Sequence, residues 1–144
     1  MLNQINLTDI MSAVKIRVET GTEDCGTKLC CYDEIPLNAP SPCVYMQLVG
    51  VAPANTKTMY VNDYTVWLHV ISEDVRTSKP LFEYIDEVQS AMSQNIVIPA
   101  DYVLISQMCN GIQNIQTDET GERHAVISYT LKIGYGYICK QIGE

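Results

Sequence analysis

The sequence predicts a small α+β domain from three observations. An amphipathic helical pattern opens the chain, a second one begins past its middle, and strand-like segments lie between and after them. Nothing along that path has the look of an active site, so the order points to a unit that works by fitting against other protein surfaces.

The first helix is predicted to start at Asn6, whose side-chain oxygen can accept from the free backbone N–H groups, with Asp9 three residues later. Leu7, Ile10, Met11, Val14 and Val18 then form one stripe, and Gly21 supplies the stop. Polar residues 22–27 read as a loop. A short strand is expected over 28–34. Pro36, Pro40 and Pro42 follow and cannot sit inside a sheet, so they mark a rigid extended connection. The next strand covers 43–51.

Residues 57–72 form a longer strand in which Tyr64, Val66, Leu68 and Val70 share one face and Thr65, Trp67, His69 and Ile71 the other. Large apolar groups on both faces predict that the second face is covered by something. The second helix runs from about 78 to 94, opening at Thr77-Ser78-Lys79-Pro80. Thr77 or Ser78 can cap it, and Pro80 is tolerated in its first turn. Leu81, Ile85, Val88 and Met92 make its stripe, Phe82 widens it, and Glu83, Asp86, Glu87 and Ser90 face away. Residues 101–117 and 124–138 then read as a hairpin turning at Asp118-Glu119-Thr120-Gly121-Glu122.

At 144 residues the length predicts one domain over 1–144. With 47% apolar and 18% charged residues, the chain has the composition of a globular protein and not of a disordered one. A net charge of −8 with only nine Lys and Arg makes the chain a poor candidate for gripping phosphates, since nucleic-acid affinity comes mostly from basic side chains. Acidity could still serve where nucleic acid must slide past without sticking. The N-terminus lacks a basic region and an apolar core of the secretory kind, and no stretch is long enough to span a bilayer, so a soluble intracellular protein is expected.

The six cysteines are then read as reduced. Cys25, Cys30, Cys31 and Cys43 lack the C-x-x-C knuckle that holds two thiolates at tetrahedral spacing, so small buried hydrophobes are preferred to a metal site. His69 and His124 fall in or beside strands, and no nucleophile elbow, zinc helix or phosphate loop accompanies them. No catalytic, cofactor-binding or metal-binding residue is therefore assigned. Asp33-Glu34 and Glu73-Asp74 read as solvated turn charges. Nine tyrosines beside one Phe and one Trp suit surfaces that stay wet until a partner covers them, although rings half-buried on a sheet need no partner.

The order of elements resembles the tail terminator (tail-completion) family of tailed bacteriophages, which includes the lambda-type minor tail protein U. The likeness runs from the first helix to about Ile138. It is carried by Tyr32-Asp33-Glu34-Ile35-Pro36, by Pro42-Cys43-Val44-Tyr45-Met46-Gln47-Leu48, by the alternating 64–72 strand leading into the second helix, and by the closing hairpin with Arg123-His124. The cysteine-rich first strand, and Cys43 where an aromatic is expected, depart from the pattern.

The resemblance implies a mixed, largely antiparallel sheet packed by two main helices. It also implies a non-enzymatic virion protein at the tail–neck junction, assembled in the host cytoplasm as a homohexameric ring. That ring would cap the tail tube, stop its polymerisation and meet the head connector or stopper protein, with DNA passing through the lumen unbound. No membrane or cofactor is implied. A head–tail stopper or neck protein is the neighbouring reading, and a cytosolic α+β binding domain or small enzyme the reading from another class. Tyr64, Trp67, His69, Asp118, Glu119, Glu122 and Arg123 are the expected interface residues. The loops 22–27, 53–56 and 117–123 are candidate docking surfaces.

Overall fold

The computed structural model describes residues 3–24, 29–33, 42–72, 79–117 and 123–138. Within them lie helices α1 (Leu7–Asp24) and α2 (Lys79–Ala91) and strands β1 (Cys31–Tyr32), β2 (Cys43–Pro53), β3 (Met59–Ser72), β4 (Val103–Thr117) and β5 (Arg123–Tyr137). The strands form one sheet in the order β1-β2-β3-β5-β4. The β1–β2 pairing is parallel and the others antiparallel, which gives the mixed, largely antiparallel α+β sheet that the resemblance implies.

The Asn6 carbonyl accepts from the N–H groups of Asp9 and Ile10 to start α1. Ile10, Val14 and Val18 are fully buried, so the helical stripe does seat the helix. Burying each such side chain contributes about 1.5–3 kcal/mol. Leu7, although on the expected stripe, is 48% exposed.

Gly21 does not stop the helix, which continues to Asp24. A Cβ added to Gly21 would come within 2.6 Å of the Ala91 Cα, so this glycine serves the crossing of α1 and α2. The chain is fastened where it leaves α1. The Thr22 hydroxyl donates to the Val18 carbonyl at 2.8 Å and accepts from the Leu29 N–H at 3.0 Å. The Cys31 N–H donates to the Glu19 carboxylate at 3.1 Å, which ties β1 to the helix.

The β2–β3 connection is set by side chains acting on backbone. The Asn55 oxygen accepts from the Val61 N–H at 2.8 Å, and the Thr56 hydroxyl accepts from the Met59 N–H at 3.0 Å. In α2, Leu81, Ile85, Val88 and Ala91 are buried, whereas Phe82 is 50% exposed. Phe82 lies one position on from Leu81, about 100° around the helix, which turns it away from the stripe. Both helices therefore press one face of the sheet. Val44 and Met46 of β2, Tyr64, Val66, Leu68 and Val70 of β3, and Ala125 to Ile133 at alternate positions of β5 meet them in a single core.

Strand β4 is irregular, with register shifts at Leu104/Ser106, Cys109/Gly111 and Ile112/Asn114. Gly111 sits at one of them with φ +106°, a backbone that side-chain-bearing residues rarely adopt. The helix caps at Thr77 or Ser78, the Pro36–Pro40 part of the connection and the turn at 118–122 fall outside the described residues.

Candidate functional site

With both α1 and α2 on one face, the alternation of β3 delivers its other set of side chains to a face that neither of them covers. Thr65, Trp67, His69 and Ile71 are all half-buried there. The register sets Tyr45 opposite His69 and Gln47 opposite Trp67 from β2, and Val126 and Ser128 opposite the same two residues from β5. The rings form a tight group: Tyr45 and His69 centroids are 5.0 Å apart, and the Trp67 ring meets His69 edge-on at 6.2 Å. Among the described residues, neither α1 nor α2 provides the cover expected for this second face.

The two histidines are joined. His69 Nδ1 lies 2.9 Å from His124 Nε2, and His69 Nε2 lies 2.9 Å from Gln47 Oε1. An amide oxygen only accepts, so the His69 N–H is on Nε2, and its Nδ1 lone pair accepts from the His124 Nε2–H. Burial and then the neighbouring His124 push the His69 imidazole below its usual value, since a second proton would set N–H against N–H. The two rings and the Gln47 amide thus form one directional hydrogen-bonded group on the sheet surface.

Polar groups frame the aromatic patch. Asn110 Nδ2 donates to the Ser128 and Thr130 hydroxyls at 3.1 and 2.7 Å, and Lys132 faces Asp63 at 3.6 Å. Beyond them β4 forms the sheet edge, which neither helix contacts. Val103, Ile105, Met108, Ile112 and Ile115 are all exposed along it.

The residues singled out from the sequence divide between the two faces. Trp67 and His69 stand together on the helix-free face. Tyr64 is on the opposite face at 1% exposure, its ring enclosed in the core and unavailable to a neighbouring chain. Arg123 opens β5 opposite Ser72, also on the helix side, with its Nε buried. Asp118, Glu119 and Glu122 lie outside the described residues. Of the candidate loops, 22–24 is helix, Pro53 ends β2, and 54–56 belongs to the turn built by Asn55 and Thr56. Tyr45, Gln47 and His124 belong to the patch but were not among the expected interface residues. Their alternation was visible, but the register that brings them to His69 was not.

Among the described residues, no group of three or more His, Cys, Asp or Glu could hold a metal ion. Cys31 and Cys43 are buried, in keeping with their reading as small hydrophobes, whereas Cys30 is exposed and departs from it, and Cys25 lies outside the described residues; burial followed by Glu19 pushes the Cys31 thiol up. Among the described residues, a groove of about 450 Å³ at the Met59–Val103 end of the sheet is lined by one carboxylate, Asp101, and by no histidine, cysteine or lysine. No helix among the described residues is long and apolar enough to cross a membrane.

Comparison with known proteins adds three findings. A family model described as "Putative tail termination protein" matches residues 1–141. No curated protein matches the sequence. Among solved structures, a chain of the virion of a native gene transfer agent particle superposes with a TM-score of 0.70. The match covers 88% of this chain and 96% of that one at 16% identity, which establishes a shared fold.

Proposed function

The chain belongs to the phage tail termination family and so is a tail structural protein, and we propose that its copies close into a ring, in the way the family resemblance implies a hexamer. The ring caps the finished tail tube, halts its polymerisation and presents its other side to the head connector or stopper protein. It sits at the tail–neck junction of a phage or phage-derived particle and assembles in the host cytoplasm.

One observation carries this reading: a sheet with both helices on one face and Tyr45, Trp67, His69 and Ile71 left half-covered on the other. A half-buried Trp and Tyr with satisfied polar neighbours are the anchors from which protein interfaces draw most of their energy. Copies joined head to tail through different patches close into a ring when the rotation between them divides a full turn. Capping then requires that one ring face match the tube and the other not. The net charge of −8 would limit the sticking of DNA that passes through such a ring.

Electron microscopy of the protein mixed with tail tubes tests the proposal: tube ends closed by a defined ring, and tubes that stop lengthening, are expected. Open ends that continue to grow would overturn it. Trp67→Ala sharpens the test, because Trp67 stands outside the core. The variant should keep its fold, measured by circular dichroism and thermal melting, yet lose ring formation or capping. A folded variant that caps as well as the parent would remove Trp67 from the interface.

A further inference from the structure

Among the described residues, the edge strand β4 carries few of the features that protect a sheet edge. Natural sheets blunt their edges with charge, proline, bulges or a covering layer, because an open row of N–H and C=O groups pairs with any strand that arrives. Across its 15 residues β4 has no Asp, Glu, Lys, Arg or Pro, in a chain that holds 17 acids and nine bases. Helices reach β3 and β5 but not β4. Among the described residues, protection comes from the bulges and from residues 92–96 fastened to Gln107, and between two of the bulges the run Ser106 to Cys109 pairs regularly with β5.

That run is also held firmly. Gln107 Nε2 donates to the Met92 and Gln94 carbonyls at 2.8 and 2.9 Å, and Gln107 Oε1 accepts from the Ile96 N–H at 2.9 Å. The strand is thereby presented in a fixed position, with Met108 beside it at 58% exposure.

We infer that β4 is the seam by which one copy of this chain joins the next, its outer edge continuing the sheet into a second copy. Charge selects that occupant. Two copies at −8 repel, and an uncharged strand is where they can approach without setting acids against acids. The sheet also has unlike edges, β4 on one side and the two-residue β1 on the other, so β4 of one copy meeting the β1 side of the next is a head-to-tail contact. The inference deepens the ring reading and rests on it for this direction of contact.

Hydrogen exchange on the full-length protein, read with sedimentation over a concentration series, tests it. In the assembled state the β4 amides should become protected relative to the dilute chain, and Met108→Lys with Ile112→Lys should weaken self-association about tenfold or more, because a charge without a partner is costly to bury. Phe82→Lys, an exposed apolar site on α2, is the control and should leave association unchanged. A second variant, Met108→Ser, guards against loss of fold and should weaken association less than the lysine pair. A parent chain that stays monomeric at high concentration overturns the seam, as do rings whose β4 amides still exchange freely. Protected β4 amides in a closed two-fold dimer would instead keep the seam and overturn the ring.

Discussion

At Gly21 a single missing methyl group lets two helices touch. Alanine is the better helix former by about 0.8–1 kcal/mol, so propensity alone predicts that Gly21→Ala stabilises α1. Packing opposes it. The added Cβ would lie 2.6 Å from the Ala91 Cα and 3.2 Å from an Arg17 terminal nitrogen, and a backbone atom of α2 cannot swing aside as a side-chain tip can. Overpacking of this kind costs about 1–3 kcal/mol, so a net loss of stability is expected in a urea titration. Combining it with Ala91→Gly should recover part of the loss. An unchanged midpoint for the single variant would mean that the helices have room to part.

His69 provides the residue-scale prediction on pH. Its folded value is lowered, by burial first and by His124 second, so the unfolded chain takes up the proton more readily. The native state is therefore favoured above the ordinary value of 6.5, and that advantage is lost as pH falls through it toward the folded value. Melting temperature should drop between about pH 7.5 and 5.5, and His69→Gln should flatten the drop. A parent and variant with parallel pH profiles would mean that the pair does not titrate in this range.

At the scale of elements, the sequence carried periodicity well and register poorly. The two-faced alternation of β3 and the stripes of both helices are read directly from residue type, because each element's own geometry repeats in the chain. Gly21 misled because a glycine after an apolar stripe signals a helix end by local rules, whereas here its reason lies on a different helix. Tyr64 was expected at an interface because a tyrosine has a polar tip, yet the pleat sends it to the helix side with Val66 and Leu68. The histidine pair depends on β5 lying between β3 and β4, which the linear order does not disclose.

Gln107 shows what such hidden pairing does for an element. Its one amide serves Met92, Gln94 and Ile96, fastening the turn after α2 onto β4. Gln107→Leu keeps much of the volume but leaves three backbone groups without this partner. Several of them are open enough for water to substitute, so a loss of about 1–2 kcal/mol is expected, below the sum of three buried bonds. Exchange at Ile96 should quicken more than exchange in α1, and uniform change in both would place the effect in global stability.

For the molecule as a whole, two forces oppose one another. A subunit with 17 acids and nine bases repels its own copies, while the helix-free face and the charge-free edge favour burial. Salt acts on the first and hardly on the second. Raising ionic strength from about 0.01 M to about 0.15 M shortens the screening length from about 30 Å to about 8 Å, so repulsion across an interface fades while apolar contact remains. Self-association should therefore tighten as salt rises, measured as the midpoint of a sedimentation isotherm at each ionic strength. An assembly held mainly by ion pairs behaves the opposite way, its affinity falling with salt. The sign of the slope consequently separates two kinds of interface. A falling affinity would direct the search for contacts away from β4 and Trp67 and toward the charged surface.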